Sequence, residues 1–325
     1  SMLFTRFHVS PTCAPCRGAL MSGRHEFKNG ITQTIGGRER MALSTHTLPQ
    51  MLKSAGYSTG IFGKWHLGDE DAYRPENRGF DEVYIHGSGG IGQSGDAPGN
   101  TNNDPTLWHN GKFVHTKGYC TDLFFAQAIC WMKQEHEAGE PFFAYVSTNA
   151  PHAPHVLPEE YYKHYLGKPN VNEERAKFFG MIENIDTNFG KLLNRLDEWG
   201  IADNTLVIFL GTDNGGTAGR NFFNAGLRGG KAMPYQGGTR SPCFVRWPAG
   251  GVPAGTQCDA LTAHVDLFPT LAEITGAALK PEVQEQLEGR NLSPLLKNPQ
   301  ASWPARTLVH HVGRWPKGAS PVEFK

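Results

Sequence analysis

The run Thr205-Leu206-Val207-Ile208-Phe209-Leu210, followed by Gly211-Thr212-Asp213-Asn214-Gly215-Gly216, decides the fold class. A short, almost wholly apolar run that ends in turn-forming residues predicts a buried strand leading into a polar loop. Residues 173–199 before it predict a long amphipathic helix, because apolar residues recur there at spacings of three and four. These are Phe178, Ile182, Ile185, Phe189, Leu192 and Leu196. A helix that leads into a buried strand indicates an α/β protein.

The same alternation extends along the rest of the chain. Helical patterns occupy 47–55, 123–136 and 265–275, and strand patterns occupy 58–62, 141–146 and 244–247. This rhythm predicts a mostly parallel central sheet with helices on both faces. No internal repeat is visible, so we interpret 1–325 as a single domain. Because such sheets bind ligands beyond the carboxyl ends of their strands, the loops after the strands are the candidate sites.

Composition excludes several classes of protein. Lys plus Arg is 31 and Asp plus Glu is 31, so no basic excess favours binding to nucleic acid or an anionic membrane. No apolar run is long enough to predict a membrane span, and no signal peptide is visible at residues 1–6. Six cysteines are too few for a disulfide scaffold in a chain this long. We expect four of them to be buried small apolar residues: Cys120, Cys130, Cys243 and Cys258.

Four polar clusters lie where a site is expected. They are residues 13–24, 63–68, 150–155 and 211–216, the last followed by 228–231. Each also has a structural interpretation. Gly63-Lys64-Trp65-His66 is typical of a solvated loop, and His152 and His155 fit a Pro-rich surface turn. Asp213-Asn214-Gly215 is good turn chemistry, and Lys231 is compatible with plain surface charge. Residues 87–104, rich in Gly, Ser and Asn, predict a mobile surface loop.

The stretch Cys13-Ala14-Pro15-Cys16-Arg17 has two competing interpretations. C-x-x-C with a central Pro is typical of a thioredoxin-like dithiol site. Such a site is expected to follow a hydrophobic strand, whereas Ser10-Pro11-Thr12 stands here. The other interpretation reads C-x-P-x-R, with Gly23-Arg24 shortly beyond.

The second interpretation is favoured because further motifs follow in a fixed order. They are Gly56-Tyr57-Ser58-Thr59-Gly60-Ile61-Phe62-Gly63-Lys64-Trp65-His66, Pro151-His152-Ala153-Pro154, Asp213-Asn214-Gly215, Gly230-Lys231 and Gly237-Gly238-Thr239-Arg240-Ser241-Pro242. From about residue 10 to about residue 296 the chain resembles the type I, formylglycine-dependent sulfatases, arylsulfatase-like members of the alkaline-phosphatase-like superfamily. The resemblance implies that superfamily's α/β fold and hydrolysis of a sulfate monoester of a carbohydrate or aryl alcohol.

The resemblance also implies roles for named residues. Cys13 would be oxidised to formylglycine by a maturation enzyme, and the hydrated aldehyde would attack sulfur. Arg17 would orient that group, with His66 as the base that releases sulfate. Lys64 and Lys231 would hold sulfate oxygens, and Lys231 or His152 would protonate the leaving oxygen. His155, Arg228 and Arg240 lie near motifs but receive no role.

The implied metal is Ca²⁺, bound by Asp213, Asn214 and Cys13 as its formylglycine. The family also needs two adjacent aspartates at the end of its first strand, and this chain has no Asp-Asp dipeptide. We therefore expect a domain incomplete at both ends, lacking that strand and a C-terminal region. Ca²⁺ takes about 6–8 oxygen ligands, so we expect weak Ca²⁺ binding and little turnover from this chain. A missing central strand also predicts unpaired sheet backbone and lowered stability, or another segment that covers the edge.

Three alternatives stay open at this point. The same fold also serves phosphate mono- or diester hydrolases, although these commonly use Ser or Thr as the nucleophile. A binding relic would hold sulfate or glycan without hydrolysing it. A dithiol oxidoreductase would depend on both Cys13 and Cys16. Sulfatase relatives in bacteria also suggest export to the periplasm or beyond.

Overall fold

The computed structural model describes residues 1–211 and 213–313. Its strands are β1 (Met2–Phe4), β2 (Phe7–His8), β3 (Ser58–Lys64), β4 (Glu82–His86), β5 (Thr106–His109), β6 (Lys112–His115), β7 (Phe142–Ser147), β8 (Val207–Leu210), β9 (Cys243–Arg246), β10 (Gln257–Cys258) and β11 (Thr262–Ala263). Its helices are α1 (Cys13–Ser22), α2 (Leu48–Ser54), α3 (Cys120–Ala138), α4 (Glu173–Glu198), α5 (Gln236–Thr239), α6 (Leu267–Thr275), α7 (Pro281–Gln286) and α8 (Ser293–Lys297). The α/β class is confirmed, with 3-10 turns between several elements.

The larger sheet has the strand order β6-β5-β4-β3-β7. β3 pairs in parallel with both β4 and β7, so Lys64, His86 and Ser147 end neighbouring strands at one edge. β4, β5 and β6 pair antiparallel. The β5–β6 connection is the two-residue turn Asn110-Gly111, both residues with positive φ, which is the geometry a tight hairpin requires.

The second sheet has the order β10-β1-β9-β8, and β11 pairs with β2 separately. β9 runs antiparallel to β1 and β8, so strand directions are mixed rather than mostly parallel as expected. The reason lies in the segment between β8 and β9. It leaves the carboxyl end of β8 and returns to the same end, where Gly211 N–H donates to the Pro242 carbonyl at 2.8 Å. A chain that re-enters where it left forms an antiparallel pair.

β7 and β8 each end their sheet, so within the described residues each pairs on one side only. Both strands are half-buried along most of their length. Their side chains nevertheless contribute to the same two apolar cores. Phe143, Tyr145, Ile208 and Leu210 contribute to one, and Phe142, Ala144, Val146 and Val207 to the other. The expected unpaired backbone is therefore found at these two edges.

Helix α4 packs against α3, but with a face rotated from the predicted one. Asn184 and Asn188 lie on the buried side, where both donate to the Asp122 carboxylate at 2.9 and 2.6 Å. Leu192 and Leu196 are buried as predicted, whereas Ile182 is 43% exposed. The buried amides explain the shift, because satisfied polar residues occupy positions that an apolar-periodicity argument leaves to solvent.

Three of the four cysteines that we expected to be buried are buried, namely Cys120, Cys243 and Cys258. The fourth, Cys130, is exposed on α3. None of the helices in the described part of the chain has the length and apolar composition of a membrane-spanning segment.

Candidate active site

Helix α1 places Cys13 at its first position, after the extended N-cap residue Thr12. Every residue of this helix is buried. Cys13 and Arg17 are four residues apart, so they lie on one face of the helix. The C-x-P-x-R stretch is therefore a buried helical turn that presents a thiol and a guanidinium in the same direction.

Arg17 joins α1 to the carboxyl ends of two strands. Its Nε donates to Asp213 Oδ2 at 2.9 Å, just beyond β8. One of its terminal nitrogens donates to the Lys64 carbonyl at 2.8 Å, where β3 ends. The same nitrogen lies 3.4 Å from the Tyr145 hydroxyl on β7. A single guanidinium thus fixes the geometry of three separate segments.

Lys64 is 3% exposed and lies close to the charges of this site. Burial lowers the pKa of its ammonium group, and Arg17 and Lys231 lower it further. Cys13 and Asp213 act in the opposite direction, since both favour a positive neighbour. The Lys64 carbonyl also accepts from Ser147 Oγ at 2.7 Å, so both ends of this residue are positioned.

The two cysteines of the motif occupy opposite environments. Burial alone raises the pKa of the Cys13 thiol, but the nearby Lys64 ammonium group and the His66 ring outweigh it and bring that pKa to about 5. Burial raises the pKa of Cys16 well above its ordinary value, and Asp213 adds to the effect. The surroundings of Cys13 therefore favour the thiolate, whereas those of Cys16 favour the neutral thiol.

His66 has φ of 63°, an uncommon conformation for a residue with a side chain, and is 4% exposed. Its Nε2 lies 2.8 Å from the Thr34 carbonyl, which can only accept, so Nε2 carries a proton. The other ring nitrogen, Nδ1, is buried and has no hydrogen-bond partner among the described residues, so it is the nitrogen left to accept a proton. A strained backbone and a tautomer fixed by a hydrogen bond are both typical of a functional residue.

His152 lies on the loop after β7. Its Nδ1 donates to the Ala153 carbonyl at 2.6 Å. Burial lowers the pKa of this ring to about 4, with Lys64 and Lys231 as the next causes. His152 is thus neutral at neutral pH, with Nε2 as its acceptor nitrogen. His155 is separate, since it pairs with Glu174 at 2.6 Å and packs edge-on against Phe178.

Asp213 and Lys231 complete the cluster. Burial raises the pKa of the Asp213 carboxyl, but Arg17, Lys64 and Lys231 outweigh it and hold that pKa well below its usual range. The structure therefore brings together all eight predicted site residues: Cys13, Arg17, Lys64, His66, His152, Asp213, Asn214 and Lys231. Arg228 and Arg240 are engaged elsewhere, with the Tyr235 hydroxyl and with the Thr5 carbonyl.

A Ca²⁺ site does not fit the residues described. Both carboxylate oxygens of Asp213 are already engaged, one by Arg17 and the other by the Asn214 side chain. No group of three or more His, Cys, Asp or Glu side chains in the described part of the chain could hold a metal ion. One carboxylate and one amide fall well short of the oxygen ligands that Ca²⁺ takes.

Sequence reasoning missed several residues that shape the site. Tyr145 and Ser147 lie on alternate positions of β7 and contact Arg17 and the Lys64 carbonyl. The sequence does indicate this pair, because residues two apart near the end of a predicted strand lie on the same face of the sheet. Residues 87–93, interpreted as a mobile surface loop, instead cover the site. An ideal Cβ on Gly89 would lie 2.6 Å from the His66 ring, and one on Gly90 would lie 3.2 Å from His152 Nδ1.

Comparison with known proteins shows the family to which the chain belongs. Residues 1–277 match the family described as Sulfatase. The chain belongs to the sulfatase family. It is 31% identical to N-acetylgalactosamine-6-sulfatase of Rattus norvegicus, over 91% of this chain and 59% of that protein. It is 29% identical to arylsulfatase J of Mus musculus, over 94% of this chain and 51% of that protein. This sulfatase-family chain thus spans between half and two-thirds of the length of these curated relatives.

Solved structures confirm the sulfatase fold. The chain superposes on Ps i-CgsB, solved in complex with k-i-k-neocarrahexaose, with a TM-score of 0.81 and 30% identity. That match covers 92% of this chain and 69% of the other. A phosphonate monoester hydrolase from Silicibacter pomeroyi shares the fold, with a TM-score of 0.64 and 20% identity.

Proposed function

We propose that this chain is the catalytic domain of a sulfuric ester hydrolase that cleaves a sulfate monoester of a carbohydrate. The observation that carries the proposal is the convergence of Cys13, Lys64 and His66 in a chain of the sulfatase family. A sugar sulfate is proposed because one relative is an N-acetylgalactosamine-6-sulfatase and a similar structure was solved in complex with k-i-k-neocarrahexaose.

Three cations prepare the site for an anionic ester. Arg17 is paired with Asp213, so Lys64 and Lys231 supply the charge that remains for the sulfate group. A buried ammonium group acts as a point charge whose interaction with an anion is strong in a low-dielectric site. Burial lowers the pKa of Lys64, so a bound anion beside it would restore its preference for the charged form.

The position of Cys13 suits its conversion to formylglycine, which supplies a geminal diol as nucleophile in place of a thiol. Arg17 lies on the same helical face and orients the group at this position. His66 Nε2 is committed to the Thr34 carbonyl, which leaves the buried Nδ1, without a hydrogen-bond partner among the described residues, to accept a proton. His66 therefore serves as the base that accepts a proton there.

The leaving oxygen needs a proton donor, and the protonation state of His152 supports Lys231 in that role. The pKa of His152 is lowered to about 4 by burial and by the two lysines, so its Nε2 carries no proton at neutral pH. Its Nδ1 proton is held by the Ala153 carbonyl. His152 thus accepts a hydrogen bond in this site, whereas Lys231 supplies an ammonium proton.

No step is assigned to a metal, because the described residues do not form a Ca²⁺ site. We expect this chain to bind Ca²⁺ weakly and to turn over slowly, and we expect the whole protein to depend on further carboxylates. Maturation by a formylglycine-generating enzyme and export from the cell are further parts of the proposal.

The test combines a mass measurement with a substrate comparison. The chain is co-expressed with a formylglycine-generating enzyme, and the tryptic peptide of residues 7–17 is weighed. We expect the mass of an aldehyde at Cys13, and slow hydrolysis of 4-nitrophenyl sulfate that Cys13→Ala abolishes. An unmodified Cys13, a Cys13–Cys16 disulfide or faster hydrolysis of 4-nitrophenyl phosphate would contradict the proposal. The matched control is Cys16→Ala, which leaves the motif's essential positions intact.

A further inference from the structure

Residues 87–93, the glycine wall, pack directly on both site histidines. The Cβ position of Gly89 lies 2.6 Å from Cε1 and 2.7 Å from Nε2 of His66. The Cβ position of Gly90 lies 3.2 Å from Nδ1 of His152. Neither glycine has a positive φ, so contact with the His66 ring, rather than backbone conformation, requires glycine at position 89, and a side chain at position 90 would press on His152. Both glycines are buried beneath the outer part of the wall.

The glycine wall is tied through Ile91 to the loop that carries His152. Ile91 N–H donates to Asn149 Oδ1 at 3.3 Å, and Asn149 Nδ2 donates to Asn102 Oδ1 at 3.1 Å. Asn102 in turn donates to the carbonyls of Pro154 and Val156, each at 3.2 Å. This chain of amides ties the wall to the loop that carries His152. The wall is therefore a fixed boundary of the site.

One side chain of the glycine wall faces the histidines and is exposed. Gln93 Oε1 lies 3.1 Å from the Cβ position of Gly89, and its Cδ lies 3.3 Å from the Cβ position of Gly90. Gln93 therefore sits on the same face of the wall as the rings of His66 and His152. Its backbone is fixed, since its N–H donates to Gly90 and its carbonyl accepts from Asp96.

The charge around the glycine wall indicates which kind of substrate group can bind beside Gln93. Residues 87–104 contain no Lys or Arg. The two charged side chains that hold the wall are carboxylates. Asp69 accepts from Ser88 N–H at 2.9 Å, and Asp96 accepts from Gly87 and Gly92 N–H at 2.9 and 2.8 Å. Two carboxylates beside the glycine wall disfavour a second anionic group on the substrate at this position and favour a neutral group there.

We propose that Gln93 is a specificity-determining residue whose carboxamide hydrogen-bonds a hydroxyl group beside the sulfated position of a sugar. An amide offers both donors and an acceptor, which matches a hydroxyl and gives nothing to an aryl ring. The preferred substrate is then a sugar sulfate with a free neighbouring hydroxyl, rather than an aryl sulfate or a sugar with adjacent sulfates. This inference rests on the proposed sulfatase function and adds the substrate class.

The experiment measures binding, so it does not depend on turnover. Calorimetry compares galactose 6-sulfate with 4-nitrophenyl sulfate on the Cys13→Ala chain, alone and combined with Gln93→Ala or Gln93→Leu. We expect both Gln93 variants to weaken galactose 6-sulfate binding by about 5- to 10-fold, the loss of one neutral hydrogen bond, with 4-nitrophenyl sulfate unchanged within about 2-fold. Gln93→Leu keeps the size of the side chain. Gln284→Ala, an exposed glutamine on α7, is the matched control and should change neither Kd.

The outcomes separate this inference from the proposed function. Equal losses for both ligands, or no loss for either, would overturn the role of Gln93 even if the chain hydrolyses sulfate esters. A selective loss for the sugar sulfate would support Gln93 even if no hydrolysis were detected. A galactose disulfate with adjacent sulfates should bind more weakly than the monosulfate, and tighter binding would contradict the charge argument. If neither monosulfate binds to the unsubstituted Gln93 protein, both proposals are wrong.

Discussion

Arg17 and Asp213 form a largely buried ion pair, with 2.9 Å between Nε and Oδ2, that joins helix α1 to the carboxyl end of β8. The pair is not free to act as two independent charges. Asp213 neutralises Arg17, while Arg17 also holds the Lys64 carbonyl. Because this ion pair neutralises Arg17, Lys64 and Lys231 are the cations of the site that can bind the substrate anion.

Arg17→Lys should lower both stability and activity, because an ammonium group cannot reach Asp213 and the Lys64 carbonyl in the same geometry. We expect a loss of about 1–3 kcal/mol in the free energy of unfolding, the cost of leaving buried partners unsatisfied. We expect kcat/KM to fall at least about 100-fold, as misplacement of reacting groups typically causes. Denaturant titration and sulfate-ester hydrolysis measure the two effects.

Arg240→Lys is the matched control for that change. Arg240 also uses Nε on a single acceptor, the Thr5 carbonyl at 2.7 Å, but outside the site. The Arg240→Lys variant should have a lower free energy of unfolding than the parent and a kcat/KM within about 3-fold of it. If Arg240→Lys reduced kcat/KM as much as Arg17→Lys does, the positioning role of Arg17 would be wrong.

Cys13 and Cys16 should respond differently to substitution. Cys13→Ala removes the group that is modified and abolishes hydrolysis. Cys16 is 4% exposed in the apolar core, so Cys16→Ala should cost about 1 kcal/mol of stability and leave activity largely intact. Hydrolysis assays on both variants measure this. Loss of function on Cys16→Ala without unfolding would favour the dithiol interpretation.

Acidification should destabilise the fold through buried histidines such as His86. Burial lowers the pKa of His86 to about 3, and Lys64 and Arg17 contribute. The unfolded chain, with an ordinary histidine pKa of about 6.5, binds this proton more readily. The contribution of His86 to the free energy of unfolding is therefore fully present above the unfolded-state pKa of about 6.5. It decreases as the pH falls below that pKa, by about 2 kcal/mol at pH 5.

The variant His86→Leu should flatten the decline in unfolding free energy between pH 7 and pH 5. His115→Leu, at an exposed histidine of β6, is the control and should leave the pH dependence of the parent. Urea titrations across this range give the slopes. An unchanged slope for His86→Leu would show that His86 is not held neutral in the fold.

Calcium should bind this chain weakly. Asp213 has both oxygens engaged, and no cluster of three acidic, Cys or His side chains is found in the described residues. Calorimetric titration with CaCl₂ should show no stoichiometric binding at micromolar concentrations, and the melting temperature should not rise. Tight binding at a ratio of one would mean that the conclusion drawn from the donor set is wrong.

The sequence predicts the elements whose signals are local. Residues 173–199 and 205–210 appear as α4 and β8 because their periodicity and apolar runs are long. The sequence does not predict helix α1, because every residue in this helix is buried and its apolar and polar residues therefore do not alternate with a helical period. The glycine wall was misinterpreted for a related reason, since turn-forming composition does not show that Gly89 meets His66. The direction of β9 depends on its partners, which no local pattern records.

The open edges of β7 and β8 predict a pattern of amide exchange. Ser58 N–H donates to the Pro141 carbonyl at 2.9 Å, which sets the alternation along the parallel pair of β3 and β7. The amides of Phe143 and Tyr145 then face β3, and those of Ala144 and Val146 face away from it. Residue-resolved hydrogen exchange should show slow exchange for the first two and fast exchange for the other two.

The same measurement tests whether a strand occupies the space beside β7. Both edges carry apolar side chains into two shared cores and stay half-buried, which favours an additional strand between them. Any segment that pairs there must slow the exchange of Ala144 and Val146 without changing that of Phe143 and Tyr145. Equal protection of all four amides in this chain alone would show that the edge is already covered. The lowered stability expected from an unpaired edge would then lose its physical basis.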